Sequence, residues 1–324
     1  MTGSAAKEYL AKFQSVLALA LLLAALSFVS DRFLTVGNGL NVLRQISINL
    51  CLSIGMTMIV LSGGIDLSVG SVLALSGAIA AGLLKNGIDL PYWNVSLQFT
   101  VFGAMVAGVL VGLASGWCNG FVITRFRMPP FVATLGMLSI ARGLTQLWTG
   151  NFPITNLGDE FRFIGTGYCL GIPLPVWISA ALVAVFVVVT RRTRFGRYLY
   201  AVGGNERAAM LSGLPINRIK LLVYTLGGGL AGVAGLLLAA RLDAADPKVG
   251  VGYELDSIAA VVIGGTSLSG GRGTILGTVL GCLIIGVLNN GLVLLGVSPD
   301  WQLVAKGVVI LAAVAVDRAS RHGD

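Results

Sequence analysis

Charge is what this chain has least of. Only 11% of its 324 residues are charged, against roughly 25% in ordinary soluble domains. Histidine is nearly missing: the single one, His322, lies in the C-terminal tail, which excludes a histidine-based metal site or catalytic dyad. The four cysteines, Cys51, Cys118, Cys169 and Cys282, follow no metal-ligand spacing and form no CxxC pair. Three of them fall inside apolar segments and read as small packing residues. A phosphate-binding loop is also missing. The glycine-rich stretch Gly264–Gly273 has no Gly-Lys-Ser/Thr ending, and no Gly-x-Gly-x-x-Gly opens a βαβ unit. The chain is therefore not expected to hydrolyse ATP itself. Without a nucleophile–base pair or a metal constellation, it does not read as an enzyme.

What the chain has instead is apolar surface: 56% of its residues are hydrophobic and 45 are glycine. No soluble core of this size absorbs so much, so the expected class is an all-α polytopic membrane protein. Apolar segments fall near 14–30, 43–62, 68–84, 97–122, 131–149, 174–190, 220–240, 256–266, 275–296 and 301–316. They predict about ten transmembrane helices, some broken or short, in a single transmembrane domain spanning 1–324. The first apolar run, near Val16–Val29, follows Lys7 and Lys12 as a signal peptide would. No small-x-small cleavage site follows it, so it reads as an uncleaved first helix.

Placing the N-terminus inside and alternating puts fourteen Lys and Arg residues in cytoplasmic segments and six outside, with Arg142 and Lys306 left within spans. By the positive-inside rule both termini are cytoplasmic, and so is a loop at about 191–220. The same rule accounts for the net charge of +8, with a lipid bilayer rather than nucleic acid as the partner.

Gly108, Gly112, Gly116 and Gly120 are spaced by four and form one smooth stripe on the fourth span. Gly273, Gly277 and Gly281 repeat that spacing in the ninth. Small residues at this spacing let helices approach closely, here within the subunit rather than across a dimer seam. A local repeat relates Gly63-Gly64-Ile-Asp66-Leu67-Ser68-Val-Gly70 to Gly264-Gly265-Thr-Ser267-Leu268-Ser269-Gly-Gly271 at an offset of 201. It reads equally as paired helix breaks on a substrate path and as one helix-turn solution used twice.

Few polar residues lie in the apolar part. Asp66 sits between the second and third spans, and Ile-Asp-Leu-Ser-Val-Gly favours a helix cap over a functional carboxylate. Asp66 and Ser68, with Asn289 and Asn290 in the ninth span, are the translocation-path candidates. Amides suit a hydroxyl-rich neutral solute, and they equally suit interhelical bonding. Arg142 needs a carboxylate or carbonyl partner, and Lys306 must snorkel or pair. Asn49, Asn119 and Gln146 add further polar points.

The cytoplasmic loop carries its own chemistry. Asn205 suits an N-cap, Glu206 the positive helix end, Gly213 the C′ position, and Pro215 stops continuation. Between them a two-turn helix is expected over Glu206–Ser212, with Ala208, Ala209 and Leu211 forming an apolar face. A helix so short is marginal alone. Docked in a partner's groove, it becomes a lever.

The motifs together resemble one family, the ribose-type permeases of bacterial ATP-binding cassette importers. The likeness rests on Ser62-Gly-Gly-Ile-Asp-Leu-Ser-Val-Gly-Ser71, Ala201-Val-Gly-Gly-Asn-Glu206 with Leu211-Ser-Gly213, Gly252-Tyr-Glu-Leu-Asp256 with Ile258-Ala-Ala-Val-Val-Ile-Gly-Gly-Thr-Ser-Leu-Ser269, and Leu288-Asn-Asn-Gly-Leu292. It runs over nearly the whole chain, with no departure in the motifs. It implies a homodimeric subunit in the bacterial inner membrane, a cytoplasmic sugar ATPase that binds ATP and magnesium, and a periplasmic sugar-binding protein. It further implies that Gly203, Gly204, Asn205, Glu206, Ala208, Ala209, Leu211, Ser212 and Gly213 face that ATPase. Ribose is the expected sugar. Permeases for xylose, arabinose, galactose and autoinducer-2 are similar, and an ion-coupled secondary transporter is the reading from another class. The resemblance carries over no sugar-contact residue.

Overall fold

The computed structural model describes residues 2–90, 92 and 95–319. Arg321 and His322 lie outside the described residues. In chain order the elements are α1 (Thr2–Val29), α2 (Val36–Leu61), α3 (Val69–Lys85), β1 (Ile88–Leu90), β2 (Val95–Leu97), α4 (Val101–Arg125), α5 (Pro130–Thr149) and β3 (Ile154–Thr155). There follow α6 (Asp159–Thr166), β4 (Tyr168–Cys169), β5 (Ile172–Pro173), α7 (Leu174–Arg192), α8 (Arg194–Gly204), α9 (Glu206–Leu211) and α10 (Ile216–Leu242). The chain closes with β6 (Ala244–Ala245), α11 (Tyr253–Ile263), α12 (Ile275–Leu294) and α13 (Pro299–Ala319). A helix occupies each of the ten apolar segments. Among the described residues, five of them, α2, α4, α7, α10 and α12, are long and apolar enough to cross a membrane; the apolar part of α1 and α3 are shorter.

Local chemistry sets the helix starts. Threonine hydroxyls cap α2 (Thr35 accepting from Asn38 N, 3.3 Å), α4 (Thr100 from Gly103 N, 3.2 Å) and α12 (Thr274 from Gly277 N, 3.0 Å). Each satisfies one backbone donor that the first turn leaves free. The short strands pair as three small antiparallel ribbons in the connections, β1 with β2, β3 with β6 and β4 with β5. None was anticipated, because two- and three-residue strands leave no period to read.

α10 is the central helix, packed against α2, α3 and α4. The glycine stripe of α4 lies on it. A Cβ on Gly112 would meet Gly232 Cα at 3.0 Å, one on Gly116 would meet Gly228 Cα at 3.0 Å, and one on Gly120 would meet Leu221 Cα at 2.9 Å. The stripe is thus an intrachain contact, as its spacing suggested. In lipid the hydrophobic effect does not drive helices together, so this close backbone approach supplies much of the cohesion. The second stripe needs correction. Gly277 and Gly281 do face α11, but Gly273 stands before α12 in a turn with φ +145° and faces Thr266 instead.

α11 has eleven residues, about 16 Å at 1.5 Å per residue, half the hydrocarbon thickness. The preceding segment 246–252 folds back onto the start of α3, where Gly70 and Gly250 approach backbone to backbone. Arg142 of α5 holds it, donating to the carbonyls of Pro247 (2.6 Å) and Val249 (2.7 Å). Arg142 thus satisfies carbonyls that irregular backbone leaves without a ladder partner.

Candidate functional site: a helical lever on two glycine breaks

The stretch read as a loop is almost entirely helical. Thr193 caps α8 by accepting from Gly196 N at 3.2 Å, and Leu199 and Val202 bury the inner face of α8. The signal for α8 was present in Thr193 and in the apolar spacing of Phe195, Leu199 and Val202. Glycines at 196, 203 and 204 obscured it, since glycine is a poor helix former.

Asn205 caps α9, its side-chain oxygen accepting from Ala208 N at 3.0 Å. Gly213 takes φ +76°, and Gly213 N and Leu214 N bond back to the Met210 and Ala209 carbonyls at 3.0 and 3.1 Å, the closing pattern expected of a C′ glycine. Two details differ from expectation. The helix ends at Leu211, with Ser212 as its cap, because Ser212 already has non-helical ψ. The apolar face is also divided. Ala209 is buried against the protein (5% exposed), whereas Ala208, Met210 and Leu211 (86% exposed for the last) point outward. One side of α9 is seated and the other is free. Lys220 of α10 holds Glu206 with two 2.8 Å bonds, an exposed pair worth well under about 1 kcal/mol that sets orientation more than stability.

The end of α8 reaches two helix breaks at once. A Cβ on Gly203 would run into the Leu61 carbonyl at the end of α2, and would lie 2.6 Å from Gly271 N, between α11 and α12. Those two breaks are themselves bonded, Gly271 N donating to Leu61 O at 3.0 Å. Tyr200 of α8 adds a bond to the Gly273 carbonyl at 2.8 Å.

Asp66 lies in the first break and is 2% exposed. Its Oδ1 accepts from Ser68 N (2.7 Å) and from Ser68 Oγ (2.6 Å), while Ser68 Oγ accepts from Asn119 Nδ2 of α4 (2.9 Å). Ser68, not Asp66, is the N-cap residue of α3. Asp66 acts two residues earlier, as an Asx turn that fixes the chain before the helix begins. Tyr224 of α10 closes the pocket, with its hydroxyl against Gly64.

Asn289 and Asn290 belong to another place. Asn290 exchanges reciprocal 2.9 Å amide bonds with Asn38 of α2. Asn289 lies beside Asp256 of α11, which is 3% exposed and paired to Lys306 of α13 at 2.9 Å. Lys306 therefore pairs rather than snorkels. Asp256 was missed because Gly-Tyr-Glu-Leu-Asp reads as a polar rim before an apolar run. The four path candidates form two separate groups that share no hydrogen-bond partner. All four cysteines are free, and no cluster of three or more metal-ligating side chains occurs among the described residues.

Apolar helices broken at glycine turns, with polar groups buried between them and α8 and α9 seated against one end, fit a membrane transport component. The chain belongs to the family described as branched-chain amino acid transport system / permease component, which matches residues 38–314. It is a multi-pass membrane protein, and the resemblance to ribose-type permeases drawn from the motifs holds. It is similar to the ribose import permease protein RbsC of Escherichia coli (strain K12), 45% identical over 315 residues that cover 96% of this chain and 95% of the relative. The protein of the same name in Bacillus subtilis (strain 168) is 47% identical over 309 residues, 95% of this chain and 92% of the relative. The D-allose transport system permease protein AlsC of Escherichia coli (strain K12) is 39% identical over 308 residues, 95% and 91%. No solved structure matches the chain.

Proposed function

We propose that the chain is the permease subunit of a bacterial inner-membrane importer for ribose, working as two copies with a cytoplasmic ATPase and a periplasmic sugar-binding protein. The observation that carries this reading is the near full-length similarity, at 45% and 47% identity, to relatives named ribose import permease. D-allose is the competing sugar, since a relative at 39% identity bears its name. All ten apolar helices serve as membrane elements, with both termini and α8–α9 in the cytoplasm. The excess of Lys and Arg in the corresponding segments supports that orientation.

ATP and magnesium bind the ATPase, which grips the free side of α9 at Ala208, Met210 and Leu211. Force passes from α9 through Asn205 to α8, and through Gly203 to both breaks, while the Glu206–Lys220 pair ties α9 to α10. The two breaks then move as one, because Gly271 N is bonded to Leu61 O. Asp66 and Ser68 tie the inner break, and Asn289 and Asn290 line helices at the other group. The four are offered as groups that hold or flank the path, not as sugar ligands.

Reconstitution with the cognate ATPase and binding protein tests the reading. Ribose-dependent uptake and ATP hydrolysis are expected, with D-allose inactive. Uptake of D-allose in preference to ribose reassigns the sugar, and uptake by the permease alone on an ion gradient overturns the class. Leu211→Glu is expected to abolish association with the ATPase while leaving the permease folded.

A further inference from the structure

The end of α4 holds a cavity of about 460 Å³ that the transport reading does not use. Phe121, Thr124, Arg125 and Arg127 line it from one side, and Asn217, in the first turn of α10, from the other. Neither guanidinium has a hydrogen-bond or ion-pair partner among the described residues. α10 starts there with no side-chain cap and no acidic residue in its first turn, so its own first turn supplies nothing negative to its positive end. Two cations and a helix N-terminus thus converge on one concavity with no carboxylate among its lining residues.

Apolar surface adjoins it. Trp117 stacks on Phe121 with centroids 5.2 Å apart, and Phe126 meets Phe121 edge-on at 6.2 Å. All three rings are exposed. Phe121 belongs to both groups, so the cationic cavity and the aromatic surface are continuous. A free phosphate or an acidic protein surface would use the arginines and leave the rings idle. A phospholipid uses both, since aromatic rings sit at headgroup depth and basic pockets between helices hold anionic headgroups. We propose that Arg125, Arg127 and Asn217 bind the headgroup of an anionic phospholipid of the inner leaflet, with its acyl chains along Trp117, Phe121 and Phe126. The leaflet assignment rests on the cytoplasmic placement of the α4–α5 connection.

Native mass spectrometry of the permease–ATPase complex, released from vesicles of equal phosphatidylglycerol and phosphatidylethanolamine, tests this without any sugar. One phosphatidylglycerol per permease chain is expected to survive release, and retention should fall as salt rises. The double variant Arg125→Gln/Arg127→Gln should lower retention roughly thirtyfold, about five- to sixfold for each basic group at an anionic surface. Arg125→Lys/Arg127→Lys should restore most of it, which separates charge from folding. Equal retention of both lipids, or unchanged retention in the glutamine variant, overturns the proposal. So does displacement of the lipid by millimolar inorganic phosphate, which assigns the cavity to a free anion. Loss of the ATPase from the glutamine variant with lipid retention intact identifies a protein docking surface instead.

Discussion

The break between α2 and α3 and the break between α11 and α12 stop their helices by the same device and then diverge. In the first, Gly63 N bonds to Val60 O at 2.9 Å and Gly64 N to Ile59 O at 3.0 Å, with Gly63 at φ +80°. In the second, Gly265 N bonds to Val262 O at 2.9 Å and Thr266 N to Val261 O at 3.0 Å, with Gly265 at φ +84°. Both are Schellman closures. They align Gly63 with Gly265, an offset of 202, although the sequence repeat pairs Gly63 with Gly264. The offset returns to 201 one step later, where Ser68 N bonds to Asp66 and Ser269 N to Ser267 Oγ at 3.3 Å. A one-residue slip inside eight positions is what independent use of one helix-stop chemistry produces. What differs is the anchor. The first break is short and tied by a buried carboxylate to Ser68 and, through it, to Asn119. The second is longer, is tied by a hydroxyl, and passes through Gly270, Gly271 and Gly273, all at positive φ, to wrap the end of α8. The first break is tied to α4 through Ser68 and Asn119, and the second encloses the end of α8.

The largest test of that contrast is Gly203→Ala. Its methyl group would force the lever away from both breaks, costing about 1–3 kcal/mol by overpacking and abolishing ribose-stimulated ATP hydrolysis in the reconstituted complex. Gly204→Ala is the control, because a Cβ there meets nothing within 4 Å, and its stability should stay within about 0.5 kcal/mol of wild type. Equal effects of the two would remove Gly203 from the coupling path.

Next in size is the anchor itself. Asp66→Ala leaves the buried Ser68 donors without their acceptor and should cost about 2–3 kcal/mol. Ser267→Ala removes a longer bond to a neutral hydroxyl and should cost less than Asp66→Ala. Thermal unfolding of the purified permease reads both, and a reversed order would make the second break the rigid one.

Gly63→Ala and Gly265→Ala sharpen the shared half of the comparison. Neither added Cβ meets an atom within 4 Å, so only the left-handed backbone is penalised, about 1–2 kcal/mol each. Costs that differ by more than a factor of two would break the equivalence at 202. The most local effect expected is that of Asn205→Ala, about 1 kcal/mol of helix stability confined to α9. It should appear as weakened coupling of ATP hydrolysis to transport, with the midpoint of global unfolding barely moved.

Much of this was legible beforehand where the cause is local. The Asn205 cap, the Gly213 stop and the α4 glycine stripe each depend on residues within a turn or two. Asp66 was correctly placed at the start of a helix, but its capping position was off by two, since Asx turn and N-cap use the same residue types. The face of α9 was misjudged because a six-residue helix does not declare which side its neighbours cover. α8 was passed over because three glycines diluted an amphipathic pattern that only burial against the rest of the protein completes.

By itself, then, the sequence determined a membrane-embedded helical chain, the positions of its ten apolar helices and the chemistry of several of their stops. Hydropathy and capping act over a few residues and need no knowledge of the rest. Only the tertiary structure decided the partners: Arg142 with the carbonyls of Pro247 and Val249, Lys306 with Asp256, and Gly203 against Leu61 and Gly271. Those contacts join residues fifty to more than a hundred positions apart. In a medium where hydrophobicity does not sort helices, close packing and polar satisfaction choose among neighbours, and both depend on the whole assembled bundle.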